Sequence, residues 1–284
     1  MTQSADGPAS VLQKNLGAWS RKNTVEFYVH ERSQAKDLYE SEAAMLLPVL
    51  PHVSSMLDVG CAVGNFCSIV EELNPKVSYV GLDTSEEMLR EARTRHPRAA
   101  FRLGNGSQLP FEDGFFDLTF CTGVLPHNPD YLDMVAEMFR VSRRYVVADM
   151  ARLVTQAYAF DPSHSYMVLK ERFPEGSEGI AAADTRVPYV LANVAEAFNS
   201  LLARVSGRLA GIAGCGYYGT PHKSVSLPIT PVIFTVVLLV KGQGPPRYHF
   251  QLPDEARAAA ETALRKVQGI KVDSVKAVLA GHRV

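Results

Sequence analysis

Between residues 54 and 150, five short apolar runs alternate with segments that carry apolar residues at helical spacing. The runs are SSMLDVG, VSYVGLD, AAFRLGN, LTFCTGV and RRYVVADM. Segments such as NFCSIVEEL, TSEEMLREARTRH and DYLDMVAEMFRVS lie between them and favour amphipathic helices. Strands that alternate with helices form βαβ units around a mostly parallel sheet with covered faces. We therefore predict an α/β fold with a doubly wound sheet.

The alternation stops after Met150, and this change divides the chain. We predict an N-terminal helical lid, a ligand-binding core, an inserted helical cap or substrate region, the final core strands and a helical tail. These five parts cover residues 1–50, 51–150, 151–205, 206–250 and 251–284. Inside the core, Thr84 and Glu87 fit a capping box at the start of a helix.

Charge, hydropathy and cysteine spacing exclude several classes of partner. The 29 basic and 30 acidic residues give a net charge of −1, so nothing favours a nucleic-acid partner. The most apolar run, VIFTVVLLV, is about half the length of a membrane-spanning helix and is rich in β-branched residues, so we predict a strand and no membrane association. None of the four cysteines has a metal-site spacing. Without a secretion signal, we expect a reduced cytoplasmic protein and no metal.

The stretch MLDVGCAVGNF joins the first predicted strand to the first core helix through small residues. Such a turn brings backbone N–H groups close to a ligand beside a helix N-terminus. Parallel sheets bind ligands beyond the carboxyl ends of their strands. One ligand class is a dinucleotide, but its G-x-G-x-x-G pattern, counted from Gly60, requires glycine at positions occupied by Ala62 and Asn65. The dinucleotide pattern therefore fits poorly.

The same stretch resembles the nucleotide-binding motif of class I S-adenosylmethionine (SAM)-dependent methyltransferases, acidic-x-G-x-G-x-G. Asp58, Gly60 and Gly64 match this pattern, and Ala62 replaces its middle glycine. VGLDTSEEML resembles the family's second-strand motif, and GNGSQLPFEDGFFDLTFCTGVLPH resembles its adenine-covering loop and fourth strand. The resemblance covers roughly residues 40–150 and is strongest to the small-molecule (type 11-like) branch. It implies a Rossmann-like, seven-stranded, mostly parallel sheet whose last strand, near Val232–Val240, is antiparallel.

The resemblance also implies which residues bind SAM and its product S-adenosylhomocysteine. Asp83 would accept hydrogen bonds from both ribose hydroxyls, although a helix-capping role is the alternative. Asn105 stands where the family has Asp and would accept the adenine amine without charge assistance. Ala62 is strained only if its φ is positive. The full predicted cofactor set is Tyr28, Arg32, Asp58, Gly60, Cys61, Ala62, Gly64, Asp83, Thr84, Met88, Asn105, Gly106, Ser107 and Cys121.

Methyl transfer from SAM is an in-line displacement, so positioning and exclusion of water can supply most of the catalysis. An O–H or N–H acceptor usually needs a base. We predict His127 and His222 as catalytic candidates, and His127, His164, Tyr217 and Tyr218 as substrate-binding candidates. A packing or loop role is the alternative for each. LPHN replaces an NPPY-like motif after the fourth strand, which counts against amino methylation of DNA bases or glutamine.

The sequence therefore predicts a SAM-dependent methyltransferase that acts on a small molecule such as a natural product. O-methylation is slightly favoured over N- or C-methylation. Two alternatives remain open: a non-catalytic SAM-binding regulatory or assembly subunit, and an enzyme that transfers another group from SAM. The expected partner is a small-molecule acceptor, with a homodimer as one option.

Overall fold

The computed structural model describes residues 19–169, 185–243, 245–266 and 271–280. Its helices are α1 (Lys22–Val29), α2 (Glu40–Leu46), α3 (Asn65–Leu73), α4 (Glu86–Arg95), α5 (Tyr131–Val141), α6 (Val194–Val205), α7 (Asp254–Leu264) and α8 (Val275–Ala280). Its strands are β1 (Ser55–Val59), β2 (Ser78–Asp83), β3 (Ala100–Leu103), β4 (Phe116–Cys121), β5 (Ser142–Asp149), β6 (Arg152–Val154), β7 (Tyr166–Leu169), β8 (Thr185–Pro188), β9 (Leu191–Asn193), β10 (Leu209–Gly219), β11 (Val225–Ser226), β12 (Val232–Lys241), β13 (Arg247–Gln251) and β14 (Lys271–Val272).

The five predicted core strands form one parallel block in the order β5-β4-β1-β2-β3. Strand β4 is buried along its whole length, as expected for a central strand with both faces covered. The chain order reverses on either side of β1, so the carboxyl ends of β1 and β4 diverge into a crevice. This is the place where an open α/β sheet binds its ligand.

The predicted antiparallel strand is also present. Strand β12 runs antiparallel to β5 on one side and to β10 on the other. This confirms the Rossmann-like α/β fold with one antiparallel strand in a mostly parallel sheet. The sheet is larger than the seven strands that the resemblance implied, because β13 and β14 extend it beyond β10, and β6 and β9 attach beside β12.

The segment after Met150 corrects the sequence prediction. Residues 151–205 were expected to be a helical cap, but their described part contains β6, β7, β8 and β9, with α6 as its helix. Residues 170–184, including Pro174, lie outside the described residues. The strands are rich in Val, Leu and Tyr, which favour sheets, and β6 pairs with β12 while β7 pairs with β8 and β11.

Two apolar layers cover the sheet. One layer packs α5, α6 and α7 against one face, with Phe139, Phe198 and Leu264 among its buried side chains. The other packs α2, α3, α4 and α8 against the opposite face, with Leu46, Val70 and Leu89. Within the described residues, no helix is both long and apolar enough to span a membrane, and no group of three or more acidic, His or Cys residues could hold a metal ion.

The start of α4 differs by one position from the predicted capping box. Ser85, not Thr84, is the N-cap, and its hydroxyl accepts a hydrogen bond from the Met88 N–H. Asp83 accepts the Ser85 N–H at 2.9 Å, so the chain turns one residue later than the S/T-x-x-E pattern suggested. Thr84 is thereby left facing a cavity above the sheet.

Candidate cofactor and acceptor site

A cavity of about 210 Å³ lies beyond the carboxyl ends of β1, β2 and β4. Its walls come from the loops that follow these strands, and the segment 19–32 closes one side. The predicted cofactor or catalytic residues that line it are Tyr28, Arg32, Gly60, Cys61, Ala62, Asp83, Thr84, Met88, Asn105, Gly106 and His127. The structure thus gathers residues from five separate stretches of sequence around one space.

The loop after β1 is held against β2 by its own backbone. The N–H groups of Gly60 and Cys61 donate to the Leu82 carbonyl oxygen at 2.7 and 3.1 Å. Gly60 has a φ of +81°, and a Cβ added there would lie 2.2 Å from Cγ2 of Val124. Both the backbone conformation and the space therefore require glycine at this position.

Ala62 adopts the strained alternative that the sequence left open, because its φ is +47°. This region costs a residue with a Cβ about 1–2 kcal/mol. The Ala62 N–H donates to Asp83 Oδ2 at 2.9 Å, so the loop and the end of β2 are joined at this residue. A hydrogen bond to a carboxylate offsets part of that cost.

Asp83 lies at the end of β2 with its carboxylate facing the cavity. Its Oδ1 accepts the Ser85 N–H and its Oδ2 accepts the Ala62 N–H, both at 2.9 Å. Burial raises the pKa of this carboxyl, while the backbone N–H groups of Ser85, Ala62 and Thr84 lower it. Each carboxylate oxygen has further lone pairs, so Asp83 can still accept hydrogen bonds from a diol.

Four members of the predicted cofactor set do not line the cavity. Asp58 is buried beneath the loop and accepts the Tyr79 hydroxyl; burial raises the pKa of its carboxyl to about 7. Gly64 forms the turn before α3 with a φ of +79°. Cys121 points into the core, and the Ser107 N–H turns back to Asn105 Oδ1 at 2.9 Å. The structure therefore assigns them supporting positions.

Asn105 and Gly106 lie at the cavity wall after β3. Because Oδ1 of Asn105 already accepts the Ser107 N–H, one of its lone pairs is used. A Cβ at Gly106 would lie 2.4 Å from Cε of Met134, a side chain that also lines the cavity. Glycine at this position therefore keeps a flat wall, which suits a planar ring.

The N-terminal segment contributes a phenol and a guanidinium to the cavity. Burial raises the pKa of Tyr28 to about 12, so its hydroxyl is neutral. The side-chain amide of Asn65 donates to the Tyr28 carbonyl oxygen at 2.7 Å and ties the segment to α3. Arg32 is already paired with Glu42. Its predicted contact with the carboxylate of a ligand stays a prediction.

His127 is the one predicted catalytic residue that the structure brings to the cavity. Its Nδ1 lies 3.1 Å from the Pro188 carbonyl oxygen, which can only accept, so Nδ1 carries the proton in the neutral ring. Its ring also contacts Trp19 and Tyr189, with centroids 5.0 and 5.3 Å away. Burial lowers the pKa of His127 to about 4. Nε2 is therefore a neutral acceptor at pH 7.

The other four predicted catalytic or substrate-binding residues lie outside this cavity. His222 is exposed and its Nδ1 contacts Ser224 Oγ at 2.9 Å in a loop turn. His164 is exposed and faces Asp161 at 3.0 Å. Tyr217 stacks on Phe234 and Tyr218 is half-exposed, and neither lines the cavity. The structure therefore does not bring these four residues to the cavity that His127 lines, and their catalytic or substrate-binding roles stay predictions.

Several cavity residues were not predicted from the sequence. Thr122 directly follows β4, and the rule that ligands bind beyond strand ends could have identified it. Phe66, Asn128 and Met134 carry no comparable signal because their positions depend on how α3 and α5 pack. Trp19 lies well before the core in the sequence, and its ring contacts the ring of His127 at the cavity.

Comparison with known sequences identifies the core. The profile of the family described as "Methyltransferase domain" matches residues 57–147. A demethylmenaquinone methyltransferase of Lactococcus lactis is 38% identical over 93 residues, which are 31% of this chain and 37% of that protein. A trans-aconitate 2-methyltransferase of Variovorax paradoxus is 32% identical over 90 residues, 32% of this chain and 35% of that protein. The chain thus spans little more than a third of the length of these two relatives.

Solved structures are similar at lower identity. The N-terminal domain of EvdMO1 with S-adenosylhomocysteine bound is 17% identical, with a TM-score of 0.46 over 72% of this chain and 83% of that one. A SAM-dependent methyltransferase of Methanosarcina mazei is 18% identical, with a TM-score of 0.48 over 73% and 99%. Residues 57–147 thus match the methyltransferase-domain family, and this match covers about a third of the chain.

Proposed function

We propose that this chain transfers the methyl group of SAM to a small-molecule acceptor, with oxygen as the favoured atom. The observation that carries the proposal is Asp83, whose carboxylate faces the cavity at the tip of β2 while its backbone contacts leave lone pairs open. A carboxylate in this position suits a ribose diol. The match of residues 57–147 to a methyltransferase domain supports the same assignment.

The residues present fit SAM. Gly60 and Gly106 line the cavity without a side chain, so a nucleoside can approach their backbone closely, and Val124 and Met134 occupy the positions that a Cβ would need. The Thr122 hydroxyl lines the cavity, is buried and has no hydrogen-bond partner among the described residues. A buried hydroxyl without a partner is costly, and a polar ligand would satisfy it. Gly106 and Met134 would contact the adenine, while Arg32 and Tyr28 would cover the amino-acid end.

When bound, SAM supplies a methyl group that is activated by a positively charged sulfonium. In the transfer, the acceptor oxygen forms a bond to the methyl carbon, the carbon–sulfur bond breaks, and its electron pair stays on sulfur. The chain's part is to align the acceptor with the carbon–sulfur bond and to exclude water. Trp19 and Tyr28, at the edge of the cavity, are apolar enough to do the latter.

His127 is suited to hold the acceptor hydroxyl. The Pro188 carbonyl fixes the ring, so Nε2 remains as the acceptor of a hydrogen bond. Its pKa of about 4 makes it a weak base. It can therefore orient the hydroxyl at neutral pH, and it takes the proton efficiently only as the bond to carbon forms and the hydroxyl becomes acidic.

Two measurements test the proposal in sequence. Calorimetric titration should show binding of both SAM and S-adenosylhomocysteine, and absence of both at high micromolar concentration would end the proposal. A screen of small-molecule acceptors with methyl-labelled SAM should then show incorporation. Binding without incorporation across hydroxyl, amine and carbon acceptors would favour a non-catalytic SAM-binding subunit. The homodimer and the cytoplasmic location stay predictions, which sedimentation and fractionation can check.

A further inference from the structure

We propose that Asp149 and Arg152 bind the methyl acceptor, and that this acceptor is a hydroxy acid. Its carboxylate would contact the Arg152 guanidinium, and a hydroxyl beside that carboxylate would contact Oδ1 of Asp149, separate from the hydroxyl that His127 holds for methylation. The inference rests on the proposed function, because it names the class of molecule that the same site would methylate. No sequence motif pointed to either residue.

Asp149 is the last residue of β5 and is only 6% exposed. Its Oδ2 accepts the Gly123 N–H at 3.1 Å, but its Oδ1 is buried and has no hydrogen-bond partner within the described parts of the chain. A buried carboxylate oxygen without a partner is unfavourable, so it is a natural place for a ligand hydroxyl. Burial raises the pKa of this carboxyl to about 7, while Arg152 and the Gly123 N–H lower it.

Arg152 opens β6 and its side chain is 12% exposed. Its Nε donates to the Tyr189 hydroxyl at 2.8 Å, which is the one hydrogen bond of its guanidinium shown among the described residues. Its contact with Asp149 is 3.6 Å long, outside hydrogen-bond distance. A guanidinium has five N–H donors in a planar fork that matches a carboxylate. Most of the fork of Arg152 is therefore still open to an anion.

The pair lies directly behind the wall of the cofactor cavity. Gly123, which donates to Asp149, lines the cavity, and Tyr189, which holds Arg152, packs its ring against His127. On the other side, the Arg32 and Glu42 charges both shift the pKa of Asp149, so the N-terminal ion pair lies within electrostatic range. An acceptor carboxylate that contacts Arg152 would therefore lie next to the cavity wall, within electrostatic range of the N-terminal ion pair.

The rings of Phe234 and Tyr217 form an aromatic floor next to Arg152. The Arg152 guanidinium lies 4.4 Å from the centre of the Phe234 ring, and Tyr217 stacks on Phe234 at 5.8 Å with an interplanar angle of 11°. Tyr217 is 39% exposed, so this floor is open to solvent. Parallel rings beside an open guanidinium suit a flat, anionic molecule better than a neutral aliphatic one. The predicted role of Tyr217 in substrate binding would then be retained at this position.

Three small probes separate the two contacts: salicylate, with a hydroxyl beside a carboxylate; benzoate, with the carboxylate alone; and phenol, with the hydroxyl alone. Each is titrated calorimetrically into the full chain, with and without saturating S-adenosylhomocysteine. We expect salicylate to bind best. Arg152→Met should weaken salicylate and benzoate about tenfold or more, and Asp149→Asn should weaken salicylate more than benzoate.

Arg257→Met and Asp254→Asn are matched controls, because this surface pair on α7 has the same chemistry. Both should leave probe affinities unchanged. Unaltered S-adenosylhomocysteine affinity in Arg152→Met shows that the variant is folded. If salicylate does not bind the natural chain, or binds Arg152→Met equally well, the inference is overturned while the proposed function survives. If the probes bind through Arg152 but S-adenosylhomocysteine does not bind, the proposed function fails instead.

Discussion

The two halves of the site are built in different ways. On the cofactor side, the loop after β1 and the tip of β2 are joined by backbone groups, and Ala62 and Asp83 are 21 positions apart. On the acceptor side, His127 contacts Pro188 across 61 positions and Arg152 contacts Tyr189 across 37. The cofactor half is therefore a local motif with fixed backbone, whereas the acceptor half depends on how an inserted segment packs. We expect the first to tolerate very little change and the second to tolerate more.

The largest expected effect is that of Gly60→Ala. The new Cβ would lie 2.2 Å from Val124 Cγ2 on a backbone with a φ of +81°, so overpacking and strain add together. We expect a loss of about 4 kcal/mol, shared between stability and cofactor affinity. Thermal unfolding and S-adenosylhomocysteine titration measure the two parts.

Gly114→Ala is the matched control for that substitution. Its φ is +67°, but the nearest atom to its Cβ would be 3.9 Å away, and it does not line the cavity. It should lose only about 1–2 kcal/mol of stability and no cofactor affinity. Equal losses of affinity in both variants would contradict the idea that the loop after β1 has a special shape.

His127 provides a test of the acceptor half through pH. Its pKa is about 4 in the folded chain, below the usual 6.5, so its contribution to stability is complete above pH 6.5. That contribution is lost as pH falls through 4, because the unfolded chain takes up the proton first. His127→Asn should reduce this acid sensitivity by up to about 3 kcal/mol. Unfolding at several pH values measures the slope, with His52→Asn at an exposed position as the control; an unchanged slope would mean that His127 is not buried.

Asp83→Asn tests the cofactor half more mildly. The Asp83 carboxylate uses its two oxygens to accept the Ala62 and Ser85 N–H groups. Asparagine has one acceptor oxygen and no charge, so it cannot keep both of these bonds and also accept hydrogen bonds from a diol. We expect cofactor affinity to fall by about 2 kcal/mol. The acceptor probes should still bind, since Asp83 does not contact Arg152. Unaltered affinity for S-adenosylhomocysteine would remove Asp83 from the ribose site.

The smallest expected effect is a gain in stability. Ala62→Gly relieves the strain of a φ of +47° and should stabilise the chain by about 1 kcal/mol. The greater conformational entropy of glycine in the unfolded chain offsets part of this gain. Cofactor affinity should stay the same or rise slightly. A destabilised variant would show that the Ala62 methyl makes a contact that outweighs the strain.

The same contrast explains how much could be predicted from the sequence. Strands β1 to β5, the antiparallel β12 and most of the cavity-lining residues between Gly60 and Gly106 were predicted, because apolar runs and a short glycine motif are local signals. The sequence could not decide the sign of the Ala62 φ, which the structure shows to be positive, with the Ala62 N–H bonded to Asp83.

The acceptor half could not be predicted in the same way. The alternation of strands and helices stops after Met150, and the strands in residues 151–205 depend on distant pairing: β6 pairs with β12, and β7 pairs with β8 and β11. His222 and Tyr218 were predicted from residue type alone, and the chain does not bring them to the cavity. Asp149 ends a predicted core strand, where ligands bind, but its partnerless oxygen results from burial and could be found only in the structure.

A crystal structure of the full chain grown with S-adenosylhomocysteine tests the central claim most directly. We predict the nucleoside beyond the ends of β1 and β2, with both ribose hydroxyls donating to Asp83 and the adenine beside Gly106. A vacant crevice at saturating ligand, or a ribose that does not contact Asp83, would contradict the account.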